Sequence, residues 1–147
     1  GYFQSLHQAK FTPPSWAFAP AWTLNNFCTI YGLLRVLNKP QASQGRSEYL
    51  ALQGVSWINF VIFNAAYFSL RSPLNALALT LSMLALTIAS SLIALLRLKD
   101  TWVALSLATL FLWLIVASSA ALFQAAWNKD EFYQAGPFLH PVPTLEK

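Results

Sequence analysis

Four uncharged or nearly uncharged runs, each about twenty residues or longer, decide what this chain can fold into. They are Trp16–Leu37 (uncharged until Arg35), Tyr49–Leu70, Pro73–Leu96 and Thr101–Asn128. The apolar core of a bilayer is about 30 Å thick, and an α-helix of about 20 residues crosses it. Lipid offers the backbone no hydrogen-bond partner, so each run must satisfy its own N–H and C=O groups as a helix. The expected fold is an all-α membrane protein, a bundle of four transmembrane helices over about 16–37, 49–70, 73–96 and 101–128. Residues 1–128 form the transmembrane domain and 129–147 a proline-containing carboxyl-terminal tail.

Composition supports this reading. Charged residues make up 10% of the chain, against about 25% in soluble domains. The basic balance, nine Lys and Arg against five Asp and Glu, is scattered and forms no stripe, so nucleic acid is not an expected partner. Cys28 is the single cysteine, which excludes an internal disulfide and a cysteine-paired metal site, and its place in an apolar run makes it a buried, inert thiol. Residues 1–15 lack the basic start and apolar core of a secretory signal.

The connectors are short and polar. "RSP" at 71–73 makes the second and third spans antiparallel neighbours, with Pro73 in a first helical turn, where its missing N–H is harmless. Asp100 is placed to cap the last helix, with Arg97 and Lys99 at the negative end of the one before. Arg35, Lys39, Arg46, Arg97 and Lys99 fall on one side of the membrane; Lys10, Arg71, Lys129 and Lys147 fall on the other. The excess puts the 38–48 loop inside. The tail has three prolines and a glycine, so it reads as an exposed or partner-bound segment.

The spans carry Asn25, Asn26, Thr29, Gln53, Ser56, Asn59, Asn64, Ser118, Ser119 and Gln124, which should face other helices. No ionisable residue lies mid-span, which argues against a proton pump or an ion-coupled transporter. Trp16, Tyr49, Trp102 and Trp127 suit an interfacial belt. Trp113 is different. It lies near the middle of its span, with Leu110, Ala117 and Ala120 or Ala121 on the same face, and a large ring beside small residues leaves a slot for a flat apolar ligand. Before the first span, Pro13-Pro14 fixes an extended backbone, Ser15 or Thr12 is placed to cap a helix starting near Trp16, and Pro20 falls in that helix's first turns. The stretch reads as a rigid lid leading into a membrane helix. His7 and His140, the candidate haem ligands, lie in loop or tail and read as solvated. A sterol-type pattern, Val61–Tyr67–Arg71, is of a kind frequent by chance.

"YFQSLHQAKFTPPSWAFAPAWT" resembles the signature of the translocator protein family, also called tryptophan-rich sensory proteins or peripheral benzodiazepine receptors. Tyr2, Phe3, Leu6, Phe11, Pro13, Pro14, Trp16, Phe18, Pro20, Trp22 and Thr23 fall in its register. "FNAAYF", with Asn64, and "LATLFLWLIVASSAALFQAAWN", with Trp113, resemble later parts of the family pattern. The chain is a divergent likeness: Gln8 and Ala9 stand where the family has Lys-Pro, Tyr2 where it has Trp, and Thr109 and Leu110 where it has Pro-Tyr. The family fold has five helices, so the resemblance places a first helix before Gly1 or with a partner chain.

The resemblance implies a cavity capped by the proline-rich segment and occupied by a flat hydrophobic ligand. The candidates are a porphyrin such as protoporphyrin IX, haem, a chlorophyll-type tetrapyrrole, a sterol-like molecule or a bound lipid, with no obligatory cofactor. Carried over, Trp22 and Trp113 are the cavity tryptophans and Asn64 the polar contact, with Phe18, Pro14 and Ala117 completing the site. No metal ligands and no catalytic residues are expected; light-driven porphyrin degradation, known in some bacterial members, is the one enzymatic activity the resemblance leaves open. The implied location is a bacterial inner membrane, or a mitochondrial or plastid one in a eukaryote. Membrane lipid is a partner, and the chain is expected to be a homodimer or a small subunit of a larger, pigment-bearing complex.

Overall fold

The computed structural model describes residues 2–147, with the side chains of all but Gln4, Tyr67, Phe68 and Leu70. Its elements are α1 (Tyr2–Ser5), α2 (Ser15–Leu37), α3 (Arg46–Leu70), α4 (Pro73–Leu96), α5 (Thr101–Ser106) and α6 (Ala108–Trp127), with no strand among the described residues. Three spans are long and apolar enough to cross a membrane: Arg46–Ala66, Pro73–Leu96 and Thr101–Trp127. At 23 residues α2 has the length but not the apolarity, because Asn25, Asn26, Thr23, Thr29 and Arg35 dilute it.

The bundle buries polar as well as apolar side chains and turns an apolar surface outward, as expected where lipid replaces water. On α4 the buried face runs Ala76, Thr80, Met83, Thr87, Ser90, Ala94, at alternating spacings of four and three. Small residues on such a stripe let neighbouring helices come close. Phe27, Leu34, Ile58, Val61 and Leu112 point outward instead. Polar side chains join the helices: Gln53 Nε2 donates to Ser90 Oγ at 3.2 Å, and Asn59 Nδ2 to the Leu79 carbonyl at 3.1 Å. Asn25, Thr29, Gln53, Ser56, Asn59, Ser118 and Gln124 are buried as expected, but Asn64 and Ser119 are exposed and bond their own helices. Cys28 is half-buried.

Two features hold the end carrying the 38–45 loop. Asp100 caps α5 through the N–H groups of Trp102 (3.1 Å) and Val103 (3.4 Å). Its other oxygen accepts from Arg35 Nε at 2.7 Å and Lys39 Nζ at 3.0 Å, tying α2 to the α4–α5 turn. Burial pushes the Asp100 carboxyl pKa up, but the bonds from Arg35 and Lys39 outweigh it and hold it down at about 2. Beside this staple, Val36, Tyr49, Ala94, Val103 and Leu107 form a fully buried cluster.

Several expectations give way to packing. The last span is not one continuous helix: Ser106 Oγ donates to the Val103 carbonyl at 2.5 Å, and Leu107 N–H makes a tight bond to Ala104, three residues back, so the ladder breaks at Leu107. Helix α2 starts at Ser15 with Pro14 as its N-cap and no capping bond from that residue, and the Thr12 hydroxyl, without a partner among the described residues, does not cap it. Trp16 and Trp102 are exposed at helix ends, whereas Tyr49 and Trp127 are buried in the protein and belong to no interfacial belt. The tail is largely exposed, as its prolines suggest, yet it also bonds back to its own chain: Phe138 and Leu139 N–H both reach the Ala126 carbonyl at 2.9 Å, and Ala9 pairs antiparallel with Glu146.

Candidate ligand cavity

A cavity of about 540 Å3 opens in the half of the bundle nearest the proline-rich segment. Helix α2 supplies Phe18 and Trp22, one turn apart on a single face. Helix α3 supplies Phe60, Phe63 and Asn64, and α4 supplies Ala76, Thr80 and Met83. Helix α6 supplies Trp113 and, above it toward the strap, Ala117, Ala120, Ala121 and Gln124. Tyr2, Phe3, Thr12 and Pro13 of the 2–14 strap form the roof.

Aromatic contacts build two walls. Phe3 meets Phe18 edge-on (5.0 Å, 79°), and Phe18 meets Trp113 the same way (5.6 Å, 85°). Opposite them, Trp22 leans on Phe60 (4.8 Å, 50°), which Trp57 meets edge-on (5.9 Å, 81°). Edge-to-face contacts of this kind orient each ring through its neighbour. Polar groups on the lining are few. The Asn64 amide donates to the Phe60 carbonyl at 2.8 Å, and Thr80 Oγ1 to that of Ala76 at 2.7 Å. Thr12 is 4% exposed, and its hydroxyl has no partner among the described residues. Among the described residues Tyr2 is the one titratable side chain on the lining; burial first, then Glu131 and Asp130, push its phenol up to about 12, so it stays protonated at neutral pH.

Below the floor lies a chamber of about 20 Å3 that shares Trp22, Phe60 and Met83 with the cavity and adds Asn26, Thr29, Gln53 and Ser56. That volume suits a single water held by polar groups.

The chain matches the model of the TspO/MBR family over residues 1–127. It belongs to the TspO/MBR family. With three helices apolar enough to cross a membrane, this TspO/MBR chain is an integral membrane protein. No curated protein is a significant match to it.

Of the residues the sequence singled out in this TspO/MBR chain, Trp22, Asn64, Trp113, Phe18 and Ala117 come together on one cavity. Pro14 does not: it is exposed at the α2 N-cap, and Pro13 lies on the roof in its place. Leu110, placed on the Trp113 face, instead packs with Met83 and Leu114 beneath the cavity. His7 pairs with Glu146 away from the lining, and His140 is exposed. Among the described residues no cluster of His, Cys, Asp or Glu could hold a metal ion. In the sterol-type pattern, Val61 points outward, Arg71 lies over the Tyr2 ring at 5.4 Å, and the Tyr67 side chain is outside the described residues. Sequence reasoning missed Phe60, Phe63 and Met83. The spacing Phe60–Phe63–Asn64 puts all three on one helical face and was the available signal.

Proposed function

We propose that this TspO/MBR protein binds a flat, hydrophobic ligand of the tetrapyrrole class in the roofed cavity, for sensing, transport or disposal. The observation that carries the reading is that Trp22 and Trp113, far apart in sequence, border one cavity of about 540 Å3, within the range of about 300–1,000 Å3 usual for small-molecule sites. Its aromatic walls offer ring faces and edges to a conjugated macrocycle. The Thr12 hydroxyl and the Asn64 amide oxygen offer polar contacts for its substituents. A lining on which Tyr2 is the one titratable group among the described residues supports binding rather than acid–base or nucleophilic catalysis.

Titrating protoporphyrin IX into the protein in mild detergent, with tryptophan emission as readout, tests this. Saturable quenching is expected, with weaker affinity in Trp22→Phe and Trp113→Phe. Absence of quenching, or identical binding curves in both variants, removes the reading.

A second reading, a small subunit of a larger membrane complex, draws on α2. This helix turns Trp16 (76% exposed) and Phe27 (71% exposed) outward. Migration on a native gel at the mass of a large assembly would favour it.

A further inference from the structure

We propose that the carboxyl-terminal tail is the latch of the cavity roof, with Asn128 as the residue that positions the strap. The inference rests on the cavity being the functional site and is independent of which ligand occupies it.

The strap that contributes Tyr2, Phe3, Thr12 and Pro13 to the cavity has little structure of its own. It holds the single turn of α1 and a few local bonds, including Leu6 N–H to Phe3 (3.3 Å) and Thr12 N–H to Ala9 (3.0 Å). Ring contacts of Phe3 with Phe18 and of Phe11 with Phe123, and Arg71 over Tyr2, pack it against the bundle, and its long-range backbone hydrogen bonds come from the other end of the chain. The Asn128 side chain clasps the His7 peptide from both sides, accepting from its N–H at 2.9 Å and donating to its carbonyl at 2.8 Å. The same amide donates to the Gln124 carbonyl at 2.9 Å, which fixes the clasp to the end of α6, on a residue that lines the cavity. Further along, Lys10 N–H donates to the Leu145 carbonyl at 2.6 Å, Lys147 N–H donates to the Gln8 carbonyl at 2.9 Å, and Glu146 pairs with the His7 ring.

The two ends of the tail are held differently. Its root is bolted down. Asp130, 1% exposed, accepts from Ser72 Oγ (2.6 Å), Leu74 N–H (3.0 Å) and Tyr133 N–H (2.9 Å), and Tyr133 Oη donates to Asn75 Oδ1 at 2.7 Å. Its tip, beyond Val142, grips the strap through two backbone hydrogen bonds and the His7–Glu146 side-chain contact at the surface. Contacts at an exposed surface are weak, so the tip can release while the root stays in place, which leaves the strap on the Asn128 clasp and its ring contacts, freer to lift from the cavity.

A thiol reporter tests this without any ligand. In a Cys28→Ser background, Ala121→Cys places a thiol on the cavity lining. Its rate of labelling by a charged, membrane-impermeant methanethiosulfonate is measured in nanodiscs. Asn128→Leu removes both hydrogen bonds to the His7 peptide and should raise the rate about tenfold. Glu146→Ala, at the surface, should raise it about twofold, and Glu48→Gln at the opposite end of the bundle should leave it unchanged. Should Asn128→Leu fail to keep the helicity of the parent, Glu146→Ala carries the test. Equal rates in the parent and the latch variants, or a thiol that stays unreactive in all of them, overturns the proposal. A faster rate in a protein that does not bind protoporphyrin IX would remove the ligand reading and leave the latch standing.

Discussion

Replacing Asp100 with Asn separates charge from geometry at the staple that joins α2 to the α4–α5 turn. Asn is as good an N-cap as Asp, so Asp100→Asn keeps the bonds to Trp102 and Val103 N–H and removes the charge facing Arg35 and Lys39. The folded-state carboxyl is held at about 2, against an ordinary value of 3.8. At about 1.4 kcal/mol per pKa unit, that depression corresponds to about 2 kcal/mol of stability. A carboxyl depressed in the folded state stabilises above its unfolded value. This contribution is therefore fully present at neutral pH and is lost as the pH falls through about 4 toward 2. Thermal melting followed by circular dichroism in mild detergent should place Asp100→Asn about 5 °C below the parent at pH 7, with the gap closing on acidification to pH 2–3. Asp100→Ala, which also loses the cap, should cost about 1 kcal/mol more. Equal melting of parent and Asp100→Asn at pH 7, or a gap that does not change with pH, would refute the staple.

Two other positions carry predictions of their own. A Cβ at Gly32 would lie 2.0 Å from Ser106 Oγ and 2.8 Å from Ser106 Cβ, so Gly32→Ala should destabilise by about 1–3 kcal/mol through overpacking between α2 and α5. Adding Ser106→Gly should restore much of this, and the absence of rescue in the double variant would place the cost elsewhere. Asp130→Asn replaces a buried carboxylate acceptor of three bonds, so melting should fall by the equivalent of about 1–3 kcal/mol. Burial raises the pKa of this carboxyl, but its hydrogen bonds, led by that from Ser72, leave it below its ordinary value. Its contribution is therefore also present at neutral pH and lost in acid, and an acid profile identical in parent and variant would contradict that assignment.

Much of the bundle was legible because lipid is a strict solvent. Uncharged runs marked the spans, Pro73 and Asp100 marked helix starts, and the "RSP" turn forced α3 against α4. The slot beside Trp113 was legible for a related reason, since a ring among alanines at helical spacing leaves room that its own helix cannot fill. Met83 escaped because, in a largely apolar helix, one more apolar residue carries no sign of which way it faces, whereas Phe60 and Phe63 were legible only through their spacing from Asn64. The break at Leu107 escaped because it depends on how the Ser106 hydroxyl is turned and on the approach of Gly32 from another helix. The return of the tail escaped for the same kind of reason. The contacts of His7 with Asn128 and Glu146 span 121 and 139 residues, and local sequence patterns do not register such distances.

The most direct test of the cavity as a binding site is to fill it. Ala117→Phe puts a ring into the cavity between Trp113 and the strap, where a void rather than packed side chains receives it. Helicity and melting should stay close to those of the parent, while quenching by protoporphyrin IX should fall at least tenfold in affinity. A well-folded Ala117→Phe protein that binds protoporphyrin IX as tightly as the parent would contradict the account.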